Sequence, residues 1–374
     1  MRAGRRGRFV GLKMTRFHKP LRAVARFACI AALLCCCGFM PREKHAGQTQ
    51  ANELEGVYVV GTLTLGGDVA VVWENGVPRP LTDRKGNASA KAVFVYGEDV
   101  YVAGEVYTAA RGCWDAVVWK NGVPQVQEAS ETGNAQVTAM VVSNGDVYVT
   151  GYVYQYTGHP KVIAAIWKNG ALTRLTDGSV GAIAEAVAVS GNDVYVGGTV
   201  GNGVDNGVDN GVDRQIVTLW KNGVPQPLTD GKSSVNVCAV AVSDSAVYVA
   251  GTAFRGDAGT AAILWRNGTP IDLGNGLVAR GMCVDGADVY VIASNANDSD
   301  GCGVLWKNGK TRQLSGSGYD VKPSAITVAN RHVYVVGRAD LYTVVVWRDG
   351  KSVSLPRPVW FRDQIPLLGG ISVK

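Results

Sequence analysis

Three aspartates recur at intervals of four residues within a repetitive segment, residues 201–213, and they are Asp205, Asp209 and Asp213. Carboxylate and carbonyl oxygens are the ligands that Ca²⁺ takes in proteins, so these residues could hold a calcium ion. However, the segment has neither the ligand order of an EF-hand nor a nine-residue calcium repeat. The pattern therefore favours a solvated insertion. We expect a protein without a cofactor, with Ca²⁺ at these aspartates as the alternative.

Two further groups of residues could bind a partner. Arg255-Gly256-Asp257 is a tripeptide of the integrin-binding type, although three residues in this order also occur in ordinary turns. Aromatic rings with polar edges can stack on sugars or anchor a protein, but they can equally pack loops against the fold. The aromatic group comprises Trp114, Tyr152, Tyr154, Tyr156 and His159.

The sequence lacks the residue patterns of common enzymes. No His-Glu-x-x-His spacing and no Gly-x-Ser-x-Gly elbow occurs, so we expect no catalytic residues and no metal-ligand cluster. The cysteines beyond the first forty residues have no metal-site spacing and predict no defined disulfide pairing. They are Cys113, Cys238, Cys283 and Cys302.

Two alternating motifs dominate the rest of the chain. Val-Tyr-Val-x-Gly, with variants, places tyrosines at 58, 101, 148, 195, 248, 290 and 334. Trp-basic-Asn-Gly, with variants, places a tryptophan after each of them: Trp73, Trp119, Trp167, Trp220, Trp265, Trp306 and Trp347. Asn-Gly between two apolar runs is a strong hairpin signal, and each unit divides into four short strands. A tryptophan that every unit requires is typical of packing between units rather than of a ligand site.

Seven units of four antiparallel strands predict an all-β, seven-bladed β-propeller over residues 54–374. The first unit has no clear first strand, and residues 369–374 have the character of the missing one, so we expect the C-terminal strand to close the ring. The motifs resemble those of bacterial β-propeller repeat proteins, many of them envelope proteins without a known activity. That resemblance implies the fold and carries over no catalytic residues.

Residues 1–40 have the features of an export signal, with Met14 as a possible true start. They carry nine Lys and Arg, no Asp or Glu, and an apolar run over residues 27–40 that is too short to span a bilayer comfortably. Cys37, with Leu34 at −3, resembles the acylated cysteine of a lipobox, and Cys36, with Leu33 at −3, is the alternative. A plain cleaved signal is the other possibility. Residues 41–53 would form a short linker.

The charge of the remaining chain excludes one class of function. Beyond residue 40 there are 28 Lys and Arg against 31 Asp and Glu, a mildly acidic balance that gives no electrostatic basis for binding nucleic acid.

The connections between strands indicate where a partner would bind. From the end of each Val-Tyr-Val-x-Gly motif to the next Trp the chain takes 10 to 22 residues, whereas the Asn-Gly hairpins are uniformly tight. In a propeller the long connections share one face, which we call the variable face, and variable loops often carry function.

The resulting expectation is a non-enzymatic binding or scaffolding module of the bacterial cell envelope that contacts a protein partner through the variable face. We expect a lipid anchor to hold it at the membrane, on the periplasmic or the outer surface. One alternative is a surface adhesin for host matrix or receptors. The other is a carbohydrate-binding or hydrolytic propeller.

Overall fold

The computed structural model describes residues 53–374 except 65–66, 84–85, 128–133, 157–160, 204–213, 244–245, 257–258, 297–302, 315–321, 341 and 357–365. This described part is all-β, with 28 strands in seven four-stranded antiparallel sheets. The prediction of a seven-bladed propeller is confirmed. None of the helices in this part is long and apolar enough to cross a membrane.

The first four blades follow one another along the chain. Blade one contains β1 (Val57–Thr64), β2 (Asp68–Glu74) and β3 (Val77–Pro80). Blade two contains β4 (Ala88–Tyr96), β5 (Asp99–Thr108), β6 (Cys113–Lys120) and β7 (Val123–Val126). Blade three contains β8 (Ala135–Ser143), β9 (Asp146–Gln155), β10 (Lys161–Lys168) and β11 (Ala171–Arg174). Blade four contains β12 (Ala182–Ser190), β13 (Asp193–Gly201), β14 (Gln215–Lys221) and β15 (Val224–Pro227).

The remaining blades have the same order, and the last strand of the chain returns to blade one. Blade five contains β16 (Ser234–Ser243), β17 (Ala246–Phe254), β18 (Thr260–Arg266) and β19 (Thr269–Asn275). Blade six contains β20 (Leu277–Asp285), β21 (Asp288–Asn295), β22 (Gly303–Lys307) and β23 (Lys310–Gln313). Blade seven contains β24 (Lys322–Ala329), β25 (His332–Arg338), β26 (Val344–Arg348) and β27 (Lys351–Ser354), and β28 (Leu367–Val373) pairs with β1.

One strand at the end of each sheet lies next to the propeller axis. These inner strands are β28, β4, β8, β12, β16, β20 and β24, and each contacts the inner strand of the blade on either side. Because β28 contacts both β24 and β4, the ring is closed by the C-terminal strand, as the sequence predicts. Closure leaves no inner strand without neighbours.

The two repeated motifs meet at one tight turn in each blade, as blade two shows. Asn121 adopts positive φ and accepts the Val100 N–H at 2.8 Å, while its amide donates to Asp99 at 2.7 Å. Lys120 pairs with Asp99 at 2.8 Å and lies 5.3 Å from the centre of the Tyr101 ring. This hydrogen bond from Lys120 lowers the pKa of the Asp99 carboxyl. We call the arrangement the turn lock, and it accounts for the Lys and Asn of the Trp-Lys-Asn-Gly signature.

The repeated tryptophans and tyrosines lie between the blades. Six of the seven tryptophans are at most 3% exposed, and Trp306 is half-buried. The seven repeated tyrosines are likewise buried. Because these rings belong to the apolar clusters that join one blade to the next, they serve packing in every unit.

The glycine that ends Val-Tyr-Val-x-Gly is required by a close approach of two strands. A Cβ added to Gly104 would overlap the carbonyl oxygen of Ser89 on the inner strand, and the same overlap recurs in other blades. The equivalent glycines are Gly61, Gly151, Gly198, Gly251 and Gly337. At the same level each inner strand carries a β-bulge, which brings its backbone toward the second strand.

Replacing Gly369 by alanine should weaken ring closure. A Cβ at Gly369 would lie 2.7 Å from the Ala90 carbonyl oxygen and still closer to that of Lys91, whereas a Cβ at Gly370 would come no nearer than 3.2 Å to the Val93 nitrogen. We expect Gly369→Ala to lower the free energy of unfolding by about 2–4 kcal/mol and Gly370→Ala to lower it clearly less. Urea unfolding of both variants measures this difference. Equal stability of Gly369→Ala and the natural protein would contradict the closure geometry.

Candidate functional site

A β-bulge interrupts the inner strand of every blade at the same level. In six blades one residue of the inner strand has no partner on the second strand, and in blade one the irregularity spans Gly369 and Gly370. The six bulged residues are Lys91, Thr138, Glu185, Cys238, Arg280 and Ser324. We call them the channel layer.

Exposure places the channel layer in the central channel. The residue before each bulge is buried in all six blades, whereas the bulged residue is half-buried or, for Arg280, exposed. Because the inner strands surround the axis, solvent reaches their bulges through the channel. The layer lies nearer the variable face than the tight-turn face, since each bulge falls within the first half of a strand that begins at the variable face.

A small residue follows each member of the channel layer along the chain. The residue after each bulged residue is alanine or glycine in all six blades. They are Ala92, Ala139, Ala186, Ala239, Gly281 and Ala325. Ala92, Ala186, Ala239 and Ala325 pack in the apolar clusters between blades, so a ligand entering the channel would meet the side chains of the channel layer.

The bulges also connect neighbouring blades through hydrogen bonds. A bulge interrupts the ladder, so the N–H beside it needs another acceptor. Side-chain oxygens of the preceding blade accept these groups: Ala90 N–H to Thr62 Oγ1 at 3.3 Å, Val137 N–H to Glu105 Oε1 at 2.7 Å, Val237 N–H to Glu185 Oε2 at 3.1 Å, and Ala279 N–H to Thr252 Oγ1 at 3.0 Å.

Glu185 is the half-buried acid of the channel layer. Burial raises the pKa of its carboxyl to about 7, although the Val237 N–H and the Thr199 hydroxyl, which donate to it, favour the ionised form. Burial also raises the pKa of the adjacent Cys238 thiol to about 12; the Glu185 charge raises it further and Arg280 lowers it. Three consecutive members of the layer therefore interact electrostatically.

A second acid lies beside the layer in blade two. Glu105 is 2% exposed, accepts hydrogen bonds from Ser89 and from the Val137 N–H, and has Lys91 Nζ at 4.0 Å. Burial raises the pKa of the Glu105 carboxyl, and the Lys91 charge acts in the opposite direction. The channel thus holds acidic and basic groups in different blades.

Arg280 is the most accessible charge of the layer. Its Nε donates to Ser294 Oγ at 3.0 Å, which fixes the plane of the guanidinium group. Among the described residues no hydrogen-bond or ion-pair partner occupies its two terminal nitrogens. A guanidinium held this way presents two parallel donors, the geometry that suits a carboxylate.

Aromatic rings lead from the channel to the variable face along β9. Tyr152 and Tyr154 stand on one side of this strand and Tyr156 follows its end, with successive ring centres 5.5 and 5.9 Å apart. Tyr152 is half-buried near Glu105, and burial raises the pKa of its hydroxyl above the usual range. Tyr156 is exposed at the far end.

The structure brings most of the sequence-predicted aromatic group together. The Asn134 side chain accepts the backbone N–H of Trp114 at 2.8 Å and donates to the Tyr156 hydroxyl at 3.0 Å, so it connects blades two and three. The Trp114 ring lies 5.6 Å from that of Tyr107. His159 falls outside the described residues.

The other predicted residues are engaged or lie outside the described part. Arg255 donates to Asp272 at 3.0 Å and to Asn275 at 3.2 Å, so its guanidinium is held by its own blade. Gly256 is exposed with φ of 60°, and Asp257 is not described. The calcium candidates Asp205, Asp209 and Asp213 and the lipidation candidates Cys36 and Cys37 also fall outside.

Sequence reasoning missed the channel layer because its members sit inside apolar runs. Each nevertheless lies ten residues before the repeated tyrosine of its blade and is followed by alanine or glycine. A position at a constant distance from the repeated tyrosine, occupied by a different residue in each repeat, could therefore have indicated this layer.

The described residues offer binding groups more clearly than catalytic ones. His332, the histidine within this part, pairs with Asp349, and the two take the places of Asp and Asn in the turn lock of blade seven. No group of three or more His, Cys, Asp or Glu that could hold a metal occurs in the described ranges. The free cysteines there are Cys113, Cys238 and Cys283.

Comparison with known proteins relates the chain to propellers of solved structure. No family model and no curated protein matches it. A crystal structure of puromycin hydrolase is similar with a TM-score of 0.55 and 11% identity, over 80% of this chain and 52% of that one. A Mycobacterium tuberculosis puromycin-hydrolyzing peptidase is similar with a TM-score of 0.52 and 11% identity, over 84% of this chain and 55% of that one. A structure from a study of two prolyl endopeptidases has a TM-score of 0.47 and 12% identity, over 89% of this chain and 52% of that one.

These comparisons correct the expected function. The chain spans about half the length of the proteins it matches. At 11% identity the likeness shows the fold alone, yet the similar propellers belong to a hydrolase and a peptidase. The leading prediction, a non-enzymatic scaffolding module of the envelope, was therefore wrong, because the solved structures that the chain resembles are a hydrolase and a peptidase, and the sequence analysis gave a hydrolytic propeller only as an alternative.

Stability should depend on pH through Glu185. A carboxyl whose pKa rises from 4.5 to about 7 on folding favours the folded state below pH 4.5, and this contribution is lost as the pH rises through 7. The difference corresponds to about 3 kcal/mol. At pH 8 we expect the free energy of unfolding to be higher for Glu185→Gln than for the natural protein. The difference between the two should become smaller toward pH 5. Urea unfolding at both pH values measures it.

Glu98→Gln is the matched control, because Glu98 is exposed and pairs only with Lys374 among the described residues. It should leave the pH profile unchanged. A Glu185→Gln profile parallel to that of the natural protein would contradict the assignment.

Proposed function

We propose that this chain is the peptide-binding propeller of a peptide-hydrolysing enzyme, and that the carboxylate end of a peptide enters the central channel and binds Arg280. The observation that carries this proposal is the guanidinium of Arg280, held by Ser294 at 3.0 Å and exposed on an inner strand. A peptide carboxylate is planar and accepts two parallel hydrogen bonds, so it matches this group.

The remaining channel layer suits an extended chain better than a compact ion. Thr138 donates to the Ala184 carbonyl at 2.6 Å, and its exposed side remains in the channel. Lys91, on the other side of the ring, is 40% exposed in its side chain. Hydroxyl, carboxyl and ammonium groups distributed around one ring can pair with successive peptide N–H and C=O groups.

The entry side is the variable face, where the tyrosines of β9 lead toward the layer. Tyr154 and Tyr156 are stacked, with ring planes 13° apart, and offer an apolar surface beside the entrance. Side chains of a peptide could pack on these rings while its end reaches the channel.

The comparisons support a role in hydrolysis without identifying the catalytic groups. The similar structures are a puromycin hydrolase and a puromycin-hydrolyzing peptidase, each about twice as long as the part that matches. We assign the binding step to the propeller, and we retain export through residues 1–40, with an anchor at Cys36 or Cys37, as part of the proposal.

Replacing Arg280 should abolish recognition of the peptide carboxylate. Calorimetric titration would compare N-acetylated tetra-alanine with its C-terminal amide at pH 7. We expect the natural protein to bind the free acid at least tenfold more tightly, Arg280→Ala to lose this preference, and Arg280→Lys to keep part of it, because lysine retains the charge without the paired donors.

Arg79→Ala provides the control, since Arg79 lies on the outer strand β3 and pairs with Glu74 at 3.0 Å. It should retain the preference. Equal binding of the acid and the amide by the natural protein would reject the carboxylate site, and binding of neither peptide would reject the proposed function.

A further inference from the structure

A groove between blades six and seven opens on the tight-turn face, at the opposite end of the blades from the variable face. Its volume is about 440 Å³. Blade six contributes the Lys307, Lys310 and Arg312 side chains, and blade seven contributes Arg331 and Asp349. This groove is separate from the channel layer, so a ligand could bind there whether or not the channel receives a peptide.

Two charged residues of the groove, Lys307 and Asp349, already have partners. Lys307 pairs with Asp288 at 2.6 Å. Asp349 is engaged by His332 and by the Val333 N–H at 2.9 Å, so its oxygens already have donors.

Three further cations of the groove remain. Among the residues that the structure describes, no hydrogen-bond or ion-pair partner contacts the charged side-chain groups of Lys310, Arg312 and Arg331. Arg312 Nη1 lies 3.7 Å from where a Cβ of Gly350 would stand, so its side chain reaches across the groove to the hairpin of blade seven. The groove thus gathers positive charge from both of its walls.

The corresponding groove between blades one and two has the same construction and a different charge. It measures about 330 Å³, with Glu74 in the place of Lys307 and Glu98 in the place of Arg331. Its one arginine, Arg79, is the counterpart of Arg312 and pairs with Glu74 at 3.0 Å. The propeller fold therefore supplies the groove, and the side chains of blades six and seven supply the positive charge.

The backbone of Arg331 is strained. Asn330 and Arg331 form the turn into β25 with φ values of 51° and 65°. In blade three the position of Arg331 is occupied by Gly145, with φ of 82°. A non-glycine residue rarely adopts this conformation, and such strain concentrates where a side chain has a function. Here the strained residue is one that lines the cationic groove.

We propose that the groove between blades six and seven binds phosphate groups, with Arg312 and Arg331 donating to the phosphate oxygens and Lys310 adding charge. Arginine guanidinium pairs with phosphate through two parallel hydrogen bonds, and Arg312 and Arg331 line the same groove from different blades. The volume accommodates one or two phosphate groups. The same chemistry is presented by free phosphate and diphosphate and by the headgroup of an anionic phospholipid.

The first experiment is calorimetric titration of the natural protein with inorganic phosphate and with pyrophosphate at low ionic strength. In parallel, cosedimentation would compare vesicles of phosphatidylcholine with vesicles that also contain phosphatidylglycerol. Binding of the free anions supports a soluble ligand. Binding of the anionic vesicles alone supports a lipid headgroup. Binding of neither overturns the proposal.

The second experiment uses Arg331→Gly, which removes the guanidinium and relieves the strained φ. We expect affinity for the bound probe to fall at least tenfold while the melting temperature stays the same or rises, because glycine adopts this conformation freely. A loss of binding therefore cannot be attributed to unfolding. Arg312→Ala should lower affinity to a similar extent.

Arg79→Ala is the matched control, since it removes one guanidinium at the equivalent position of the groove between blades one and two. It should leave the affinity for phosphate unchanged. Equal weakening by Arg79→Ala and Arg331→Gly would show that only overall charge matters and would overturn the site.

Discussion

The structure depends on the close contact between the second strand and the inner strand of each blade. There the glycine of Val-Tyr-Val-x-Gly leaves room for an inner-strand carbonyl, such as that of Ser89 against Gly104. The inner strand bulges at this level and turns one extra residue toward the axis. This contact at the glycine recurs in six of the seven blades; in blade six Ala293 takes the place of the glycine, and the inner strand still bulges at Arg280.

The same bulges help to hold the blades in a ring. In four blades the N–H beside the bulge is accepted by a side-chain oxygen of the preceding blade, such as Thr62 Oγ1 or Glu105 Oε1. The acidic acceptors are thereby buried, which raises the pKa values of Glu105 and Glu185. Glu185 consequently belongs to the channel layer and also holds two blades together.

The fold was predictable because its signals are local and repeated. Asn-Gly turns, the tyrosine and tryptophan spacings and the lone C-terminal strand each follow from short-range chemistry. The site was less predictable. Arg255 was a candidate by its tripeptide, yet Asp272 and Asn275 hold its guanidinium. Arg280 was not predicted as a site residue, because the sequence of β20 does not show that a bulge exposes this side chain.

The sequence by itself determined the seven blades, their four strands each and the closure by the last strand, since each rests on contacts between residues close in the repeat or on a count of strands. Only the tertiary structure decided which polar residues share a surface. Lys91 and Arg280 meet the same channel although 189 residues separate them, and Arg312 and Arg331 face one groove from different blades. Such groupings arise from the curvature of the ring, which no local pattern encodes.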